Sequence, residues 1–369
     1  MVLSLDGTIF NGGTMINTTP DLFQRLATEK RAILLYGMGN GADKIIAELC
    51  ARGISVVGVF ASDGFVRGQI FHGMRVMSFS EVKEKYAPTD CVILLAFGTA
   101  RPEVLALICQ VAEQFELLVP DMPVCGGPLF DSNFFKQHSK EINAARNLFA
   151  DDLSKELFDR IIKFRLSGSL SDLLWAVSEE SAWEILQKSH KTVRKIADFG
   201  AYTGDSAREA MQRFALDFLL AAEPDRRNFK KLSAWQETVT DCEVECHQVA
   251  VCDKVGEAAF DDTGNRNAGL CTGKSRVTVP TATPDSLLRA RPVDYIKYDI
   301  EGAEQKALQG SVETIRRHHP ILRVALYHRS ADLFEIPLLL RTICPDYRFY
   351  LTRERSVPAW DIDLVAIPI

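Results

Sequence analysis

The sequence predicts an α/β protein in which two parallel sheets are joined by a helical segment. Short apolar runs alternate with stretches of helical spacing along both halves of the 369-residue chain, a pattern typical of βαβ units. A glycine-containing turn follows the first strand of each half, at 37–42 and at 200–204. The chain closes with two strands that leave no room for a helix between them, so we expect the last strand to be antiparallel.

The pattern divides the chain into three parts, and the first part begins with an irregular arm at about residues 1–20. Residues 1–131 predict a small doubly wound domain with parallel strands at 32–36, 55–60, 91–96 and 117–120. Residues 132–190 have helical spacing and are expected to connect the domains and to cover the ligand crevice of the second. Residues 191–369 predict a seven-stranded sheet whose strands end near 198, 223, 251, 299, 327, 352 and 367.

Composition and charge exclude several classes of protein. Hydrophobic content of 47% and charged content of 25% are typical of a globular chain. The formal charge of −6 argues against nucleic acid bound by a broad basic surface. No apolar run reaches the ~18–20 residues that span a bilayer, and no leader pattern precedes the first strand. We expect a cytoplasmic protein with its nine cysteines reduced. The sequence is compatible with a homo-oligomer.

The turn at 200–204 carries the clearest ligand-binding pattern. An apolar strand ends at Asp198 and passes through Gly200, Ala201 and Gly204 into a helical stretch. A second strand delivers Glu223, 19 positions after Gly204. A carboxylate about 20 residues beyond such glycines can accept both hydroxyls of a ribose. The alternative is an ordinary βαβ unit with Glu223 solvated at a strand end.

Four stretches carry a resemblance to a known family: 198–205, 222–225, 264–269 and above all Lys-x-Asp-x-Glu-Gly-Ala-Glu at 297–304. From about residue 194 onward the chain resembles the FkbM family of methyltransferases. The resemblance implies a class I methyltransferase sheet and methyl transfer from S-adenosylmethionine to an oxygen atom. It implies as acceptor a sugar, another polyhydroxylated small molecule or a glycan. Residues 202–203 and 284–285 depart from the family's usual Asn-Ile and Leu-Asp.

The resemblance also implies roles for individual residues. The loop containing Gly200, Ala201 and Gly204 would hold the methionine part of the donor, ordered by Asp198. Glu223 would bind the ribose, and Asp299 would lie where donor and acceptor meet. His328 follows the fifth strand and is a candidate base, because its ordinary pKa is near 6.5. A hydrogen-bonded crevice histidine and Asp299 as the base are the alternatives.

The first half contains a second, weaker pattern. Gly37, Gly39 and Ala42 fit a relaxed dinucleotide fingerprint, with Asp63 in the ribose position. This half resembles the small Rossmann-like domains of sugar-modifying acyltransferases and of some FkbM proteins, where such a turn also serves packing alone. A nicotinamide-dependent oxidoreductase is one alternative function, although His72 is the only histidine before residue 131. A nucleotide-sensing protein without activity is another.

No metal site is predicted. Cys242, Cys246 and His247 lie in a strand-like stretch without a close-spaced cysteine pair to complete a zinc set. Asp299, Glu301 and Glu304 could hold a divalent cation through oxygen ligands. In the first turn of a helix, however, the helix dipole alone favours such carboxylates.

Overall fold

The computed structural model describes residues 20–260 and 277–369 in full, and the backbone of three strands before residue 20. These strands, β1 (Val2–Leu3), β2 (Thr8–Asn11) and β3 (Thr14–Asn17), pair antiparallel. The prediction of an irregular arm was therefore wrong where these strands pair. The polar stretch predicted at 261–269, including 264–269, lies outside the described residues.

The first half is built on a six-stranded sheet. Its elements are α1 (Leu22–Ala27), β4 (Ala32–Tyr36), α2 (Asn40–Ala51), β5 (Gly58–Ala61), a 3-10 turn (Asp63–Phe65), β6 (Ile70–Phe71), β7 (Met74–Ser78), α3 (Phe79–Lys85), β8 (Cys91–Leu95), α4 (Pro102–Gln114) and β9 (Leu117–Leu118). The strand order is β6-β7-β5-β4-β8-β9. The sheet is parallel except for β6. Four strands were predicted; β6, with two residues, and β7, in which only Val76 and Met77 are buried, were missed.

The connecting segment is helical, as its spacing predicts. It contains α5 (Ser132–Gln137), α6 (Ser139–Arg146), α7 (Asp152–Ser167), α8 (Leu170–Trp175) and α9 (Ala182–Lys188). Asp151 caps the start of α7 by accepting from the Ser154 amide, and Gly168 ends the helix in the left-handed region. Helix α7 packs on a strand of the second sheet near Phe349 rather than over the ligand crevice. The expectation that this segment covers the crevice was wrong.

The second half holds a seven-stranded sheet and a small three-stranded one. Its elements are β10 (Lys195–Phe199), α10 (Asp205–Arg213), β11 (Phe218–Ala222), α11 (Arg226–Gln236), β12 (Glu243–His247), β13 (Ala250–Val251), β14 (Gly256–Phe260), β15 (Val277–Ala282), α12 (Pro284–Leu288), β16 (Tyr295–Tyr298), α13 (Glu304–Gln309), α14 (Val312–His318), β17 (Ile321–Ala325), α15 (Asp332–Ile343), β18 (Tyr347–Arg353) and β19 (Ile362–Pro368).

The larger sheet has the order β12-β11-β10-β16-β17-β19-β18. Strand β19 runs antiparallel to both of its neighbours, and the other pairs are parallel, as predicted. The strand predicted to run to residue 251 is two strands in different sheets, since β12 ends at His247 and β13 pairs with β15. The chain is thus an α/β protein with two parallel-rich sheets.

One hydrophobic cluster joins the two halves. It contains Leu34 and Ile93 of the first sheet, Phe158 of α7, and Tyr298 and Leu364 of the second sheet, all buried. Two smaller clusters fill the outer faces of the sheets. The domain bounds 1–131, 132–190 and 191–369 stay a prediction, because the core is continuous across them.

Candidate active site

The carboxyl ends of the central strands of the larger sheet open into a cavity of about 640 Å³. Strands β10, β11, β16 and β17 contribute to its lining or lead into residues that do. In open parallel sheets this edge is where ligands bind, and the volume lies within the range of small-molecule sites, about 300–1,000 Å³. A separate cavity of about 440 Å³ between α7, α9 and the β18–β19 edge is lined by none of the predicted site residues.

The glycine loop after β10 forms one wall of this cavity. The amides of Gly200 and Ala201 both donate to the carbonyl oxygen of Ala222, at 3.0 and 3.1 Å. Gly200 has φ +84°, and a β-carbon there would overlap the carbonyl oxygen of Asp299. Gly204 is the N-cap of α10. Glycine is therefore required at position 200 because two backbone segments approach each other closely there.

Glu223 lies at the end of β11 with both carboxylate oxygens already accepting a backbone amide. Oε2 accepts from Tyr202 at 2.9 Å, and Oε1 accepts from Asp225 at 2.9 Å. Burial raises the pKa of Glu223 to about 7, against the opposing effect of these amides. Tyr202 has φ +50°, a costly conformation for a residue with a side chain. The loop and the acid are thus held together before any ligand binds.

Asp198, Lys297 and Asp299 form a charged row across the ends of β10 and β16. The Lys297 Nζ lies 3.4 Å from Asp198 Oδ1 and 3.4 Å from Asp299 Oδ2. Asp198 also accepts from the Ser206 hydroxyl at 2.6 Å. Burial would raise the pKa of Asp299, but Lys297, His328 and the Tyr327 hydroxyl outweigh it and hold that pKa below its usual range. Asp299 is therefore an ionised carboxylate with several partners.

His328 is fully buried beneath the cavity among three carboxylates. Its Nδ1 lies 2.9 Å from Glu304, and its Nε2 lies 3.5 Å from both Asp299 and Glu301. Burial opposes a charge on the ring, but the carboxylates outweigh it and raise the pKa of His328 to about 10. A buried imidazolium can neither reach an acceptor nor take its proton at neutral pH. The geometry therefore favours the alternative of a hydrogen-bonded crevice histidine, and His328 as the base stays a prediction.

The acidic residues after β16 belong to a turn. Glu304 Oε1 accepts from the amides of Ile300 and Gly302 at 2.9 and 3.3 Å. Glu301 has φ +54° and precedes α13, so it does not share a helical turn with Glu304. Within residues 20–260 and 277–369, no three His, Cys, Asp or Glu side chains gather as metal ligands.

The opposite wall comes from two loops that the sequence does not connect. Thr99 of the first half and Val357 exchange backbone hydrogen bonds of 2.7 and 2.9 Å. Next to them, Arg101, Trp360 and Asp361 line the cavity. The first half therefore contributes directly to the candidate site.

Protein side chains pack around the glycine turn of the first half. A β-carbon at Gly37 would lie 2.6 Å from the Phe97 ring. Asp63 accepts from the amide and the hydroxyl of Ser80, at 2.9 and 2.8 Å. Gly37 and Gly39 lie on the turn before α2, and the contact with Phe97 indicates that glycine at position 37 serves packing. Nucleotide binding at Gly37, Gly39 and Asp63 stays a prediction.

Sequence reasoning missed the contributions of Lys297, Tyr327, Trp360 and Asp361. A lysine inside an apolar strand was a usable signal for Lys297, because lysine is almost never buried unless paired. Trp360 and Asp361 carried no such signal, since their position depends on how the 354–361 loop meets the first half.

The fold is an α/β fold with a cavity at the carboxyl ends of its central parallel strands. Residues 198–350 match the family model described as the methyltransferase FkbM domain. Methyltransferase FkbM from Methylobacillus flagellatus KT has a similar fold, with TM-score 0.68 and 19% identity over 91% of this chain and 89% of that chain.

Other solved structures are similar at a lower level. Ribosomal protein L11 methylase from Lactobacillus delbrueckii subsp. bulgaricus gives TM-score 0.30 and 12% identity over 51% of this chain and 76% of that one. Precorrin-6y C5,15-methyltransferase from Geobacter metallireducens GS-15 gives TM-score 0.32 and 10% identity over 51% of this chain and 87% of that chain. No curated protein matches the chain. Among the described residues, no helix has the length and apolar character needed to span a membrane.

Proposed function

We propose that this chain transfers a methyl group from S-adenosylmethionine to a hydroxyl of a sugar, another polyhydroxylated small molecule or a glycan. The observation that carries the proposal is the pairing of the Gly200–Gly204 loop with Glu223 on one side of a cavity whose base is Asp299. The donor would supply an electrophilic methyl group on a sulfonium, so the protein has mainly to align donor and acceptor.

The residues present fit this donor. The Glu223 carboxylate accepts two backbone amides and the Asn228 side chain, which leaves capacity to accept from a ribose hydroxyl. Val249, Val251 and Phe260 line the cavity beyond Glu223 and offer an apolar surface for adenine. The sulfonium is cationic, and carboxylates outnumber the cationic side chains among the described residues that line the cavity. Asp198 supports the loop through Ser206.

The acceptor would lie on the Asp299 side, beneath Trp360. Carboxylates can accept hydrogen bonds from hydroxyls, and an aromatic ring offers an apolar face to a sugar. Because His328 is buried beneath the cavity, another group is better placed to take the acceptor proton. Burial raises the pKa of Glu301 to about 7 and that of Asp361 to about 6, and both line the cavity. We infer that one of these two carboxylates takes the proton, while Asp299 orients the hydroxyl.

Two measurements on the full chain test the proposal. Isothermal titration with S-adenosylmethionine and S-adenosylhomocysteine should show binding to the wild type. Glu223→Gln should weaken both by about 1.5–3 kcal/mol, the range of a hydrogen bond to a charged group. Glu237→Gln, on an exposed residue after α11, serves as control and should bind like the wild type.

Methyl transfer is then measured with a tritiated donor and a panel of methyl glycosides and polyols. Labelled product would support O-methylation of this class of acceptor. A wild type that binds neither adenosyl compound would contradict the proposed function. Binding without transfer to any hydroxylated acceptor would favour the nucleotide-sensing alternative. The oxidoreductase alternative rested on the first glycine turn, around which Phe97 packs.

A further inference from the structure

The ammonium of Lys297 lies farther from its two carboxylate partners than ion pairing alone would place it. Its Nζ lies 3.4 Å from each of three acceptors: Asp198, Asp299 and the carbonyl oxygen of Gly200. Charge-assisted hydrogen bonds to carboxylates are normally about 2.7–2.9 Å long. The ammonium is therefore held between its partners without close contact to any of them, at the edge of the cavity that it lines.

Its position is beside the loop proposed to hold the methionine group. Lys297 faces Asp198 across β10 and β16 in register, so both side chains lie on the same side of the sheet. The contact with Gly200 places the ammonium at the first residue of the glycine loop. A group bound against that loop therefore lies next to a lysine.

The donor's methionine group carries a carboxylate that needs a cation in an acidic cavity. Among the described residues that line the cavity, the cationic side chains are Arg101, Lys297 and Arg323. Arg323 is committed to Asp363, with contacts of 2.6 and 2.9 Å. Arg101 is 70% exposed and lies on the opposite wall. Of these three side chains, Lys297 is the one that contacts the glycine loop, at Gly200.

We propose that Lys297 receives the carboxylate of the donor's methionine group and is a positioning residue for donor binding. The inference rests on the proposed donor. Asp198 and Asp299 would then hold the ammonium of Lys297 in place and provide acceptors for the amino group of the donor. The three residues together would match the charges of a zwitterion.

A pair of ligands that differ only in this carboxylate tests the inference. Isothermal titration of the full chain compares S-adenosylhomocysteine with its decarboxylated analogue, 5′-deoxy-5′-(3-aminopropylthio)adenosine. The wild type should prefer S-adenosylhomocysteine by about 10- to 100-fold, as expected for one charge-assisted contact. Lys297→Met should reduce this preference to less than about threefold, and Lys297→Arg should retain most of it. Lys195→Met, at the other end of β10, serves as control.

The outcomes separate this inference from the proposed function. Equal loss of affinity for both ligands in Lys297→Met would show a purely structural lysine and overturn the inference. A wild type that binds both ligands equally would overturn it without any variant, so the test survives if Lys297→Met fails to fold. A wild type that binds neither ligand would overturn the proposed donor as well.

Discussion

At the scale of single residues, the site depends on charges that lie below its surface. His328 has no exposed area, yet it contacts Glu304, Glu301 and Asp299. Three carboxylates so close together would repel one another, and the imidazolium offsets that repulsion. Its role is to keep the turn after β16 in place, and the cavity carboxylates depend on it.

His328→Gln should lower the free energy of unfolding by about 3–5 kcal/mol at neutral pH, because buried carboxylates lose their cation. The pKa of His328 is raised from 6.5 to about 10 in the folded protein. Its stabilisation is therefore complete below pH about 6.5 and is lost as the pH rises toward 10. Urea unfolding between pH 6 and 10 should show this decline in the wild type and a flatter profile in the variant.

His72→Gln provides the control, since the exposed pair between His72 and Asp43 contributes within about 1 kcal/mol. A His328→Gln variant with the wild-type pH profile would contradict the assignment of the buried charge.

At the scale of elements, the glycine loop after β10 contacts the ends of two neighbouring strands and begins a helix. Its amides bind the end of β11, its residue 200 packs on the backbone after β16, and its last glycine begins α10. The loop conformation is thus fixed by backbone contacts on both sides. Side chains at 202 and 203 can depart from the family's usual residues without altering those contacts.

Gly200→Ala should abolish donor binding, because a β-carbon there would displace either the loop or the carbonyl of Asp299. The positive φ adds a cost of about 1–2 kcal/mol. Calorimetry with S-adenosylhomocysteine and thermal unfolding measure the two effects. Gly64→Ala is the matched control, since no atom lies within 4 Å of the added carbon. Normal donor binding in Gly200→Ala would exclude a rigid loop.

At the scale of the whole molecule, the halves are joined by packing and by a buried ion pair. Arg165 of α7, with a side chain only 2% exposed, lies 3.1 Å from Asp121 of the first half. The same guanidinium donates to the carbonyl oxygen of Ser330 in the second half at 3.2 Å. One side chain therefore connects the first half, the helical segment and the larger sheet.

Arg165→Met should destabilise the chain by about 3–5 kcal/mol, because it removes the cation that pairs with buried Asp121 at 3.1 Å. The loss is measured by urea unfolding followed separately by fluorescence and circular dichroism. Both probes should shift together, since the two sheets share one core. Arg160→Met on the same helix removes an exposed pair with Glu156 and should change stability by less than about 1 kcal/mol. Separate transitions for the two sheets would contradict a common core.

The sequence predicted the glycine-loop wall of the cavity better than the opposite wall. The Gly200 loop and Glu223 lie on consecutive elements, so periodicity and spacing were sufficient to bring them together. Trp360 and Asp361 line the same cavity as Arg101 where Thr99 pairs with Val357 and Trp360 packs on Gly98, contacts between positions far apart in the chain. Local pattern contains no information on such pairing.

The character of His328 could not be predicted for a similar reason. Its position after β17 was foreseen, but its charge depends on burial and on Glu304, which reaches it from the next turn. An ordinary pKa is a poor guide once a side chain loses its water. The position of this histidine could be predicted from the sequence, whereas its protonation depends on tertiary contacts.

The way Arg353 supports the 354–361 loop leaves the acceptor wall open to variation. Its guanidinium is buried and donates to the carbonyl oxygens of Leu173, Ala176 and Ser356. These contacts involve only the backbone of their partners, and the Ser356 hydroxyl adds hydrogen bonds to the carbonyl oxygens of Pro358 and Trp360. The exposed side chain of Glu354 can therefore be replaced without removing these contacts, whereas Trp360 also packs against Gly98. The cavity thus combines a glycine loop fixed by backbone contacts with a wall on which an exposed position can vary.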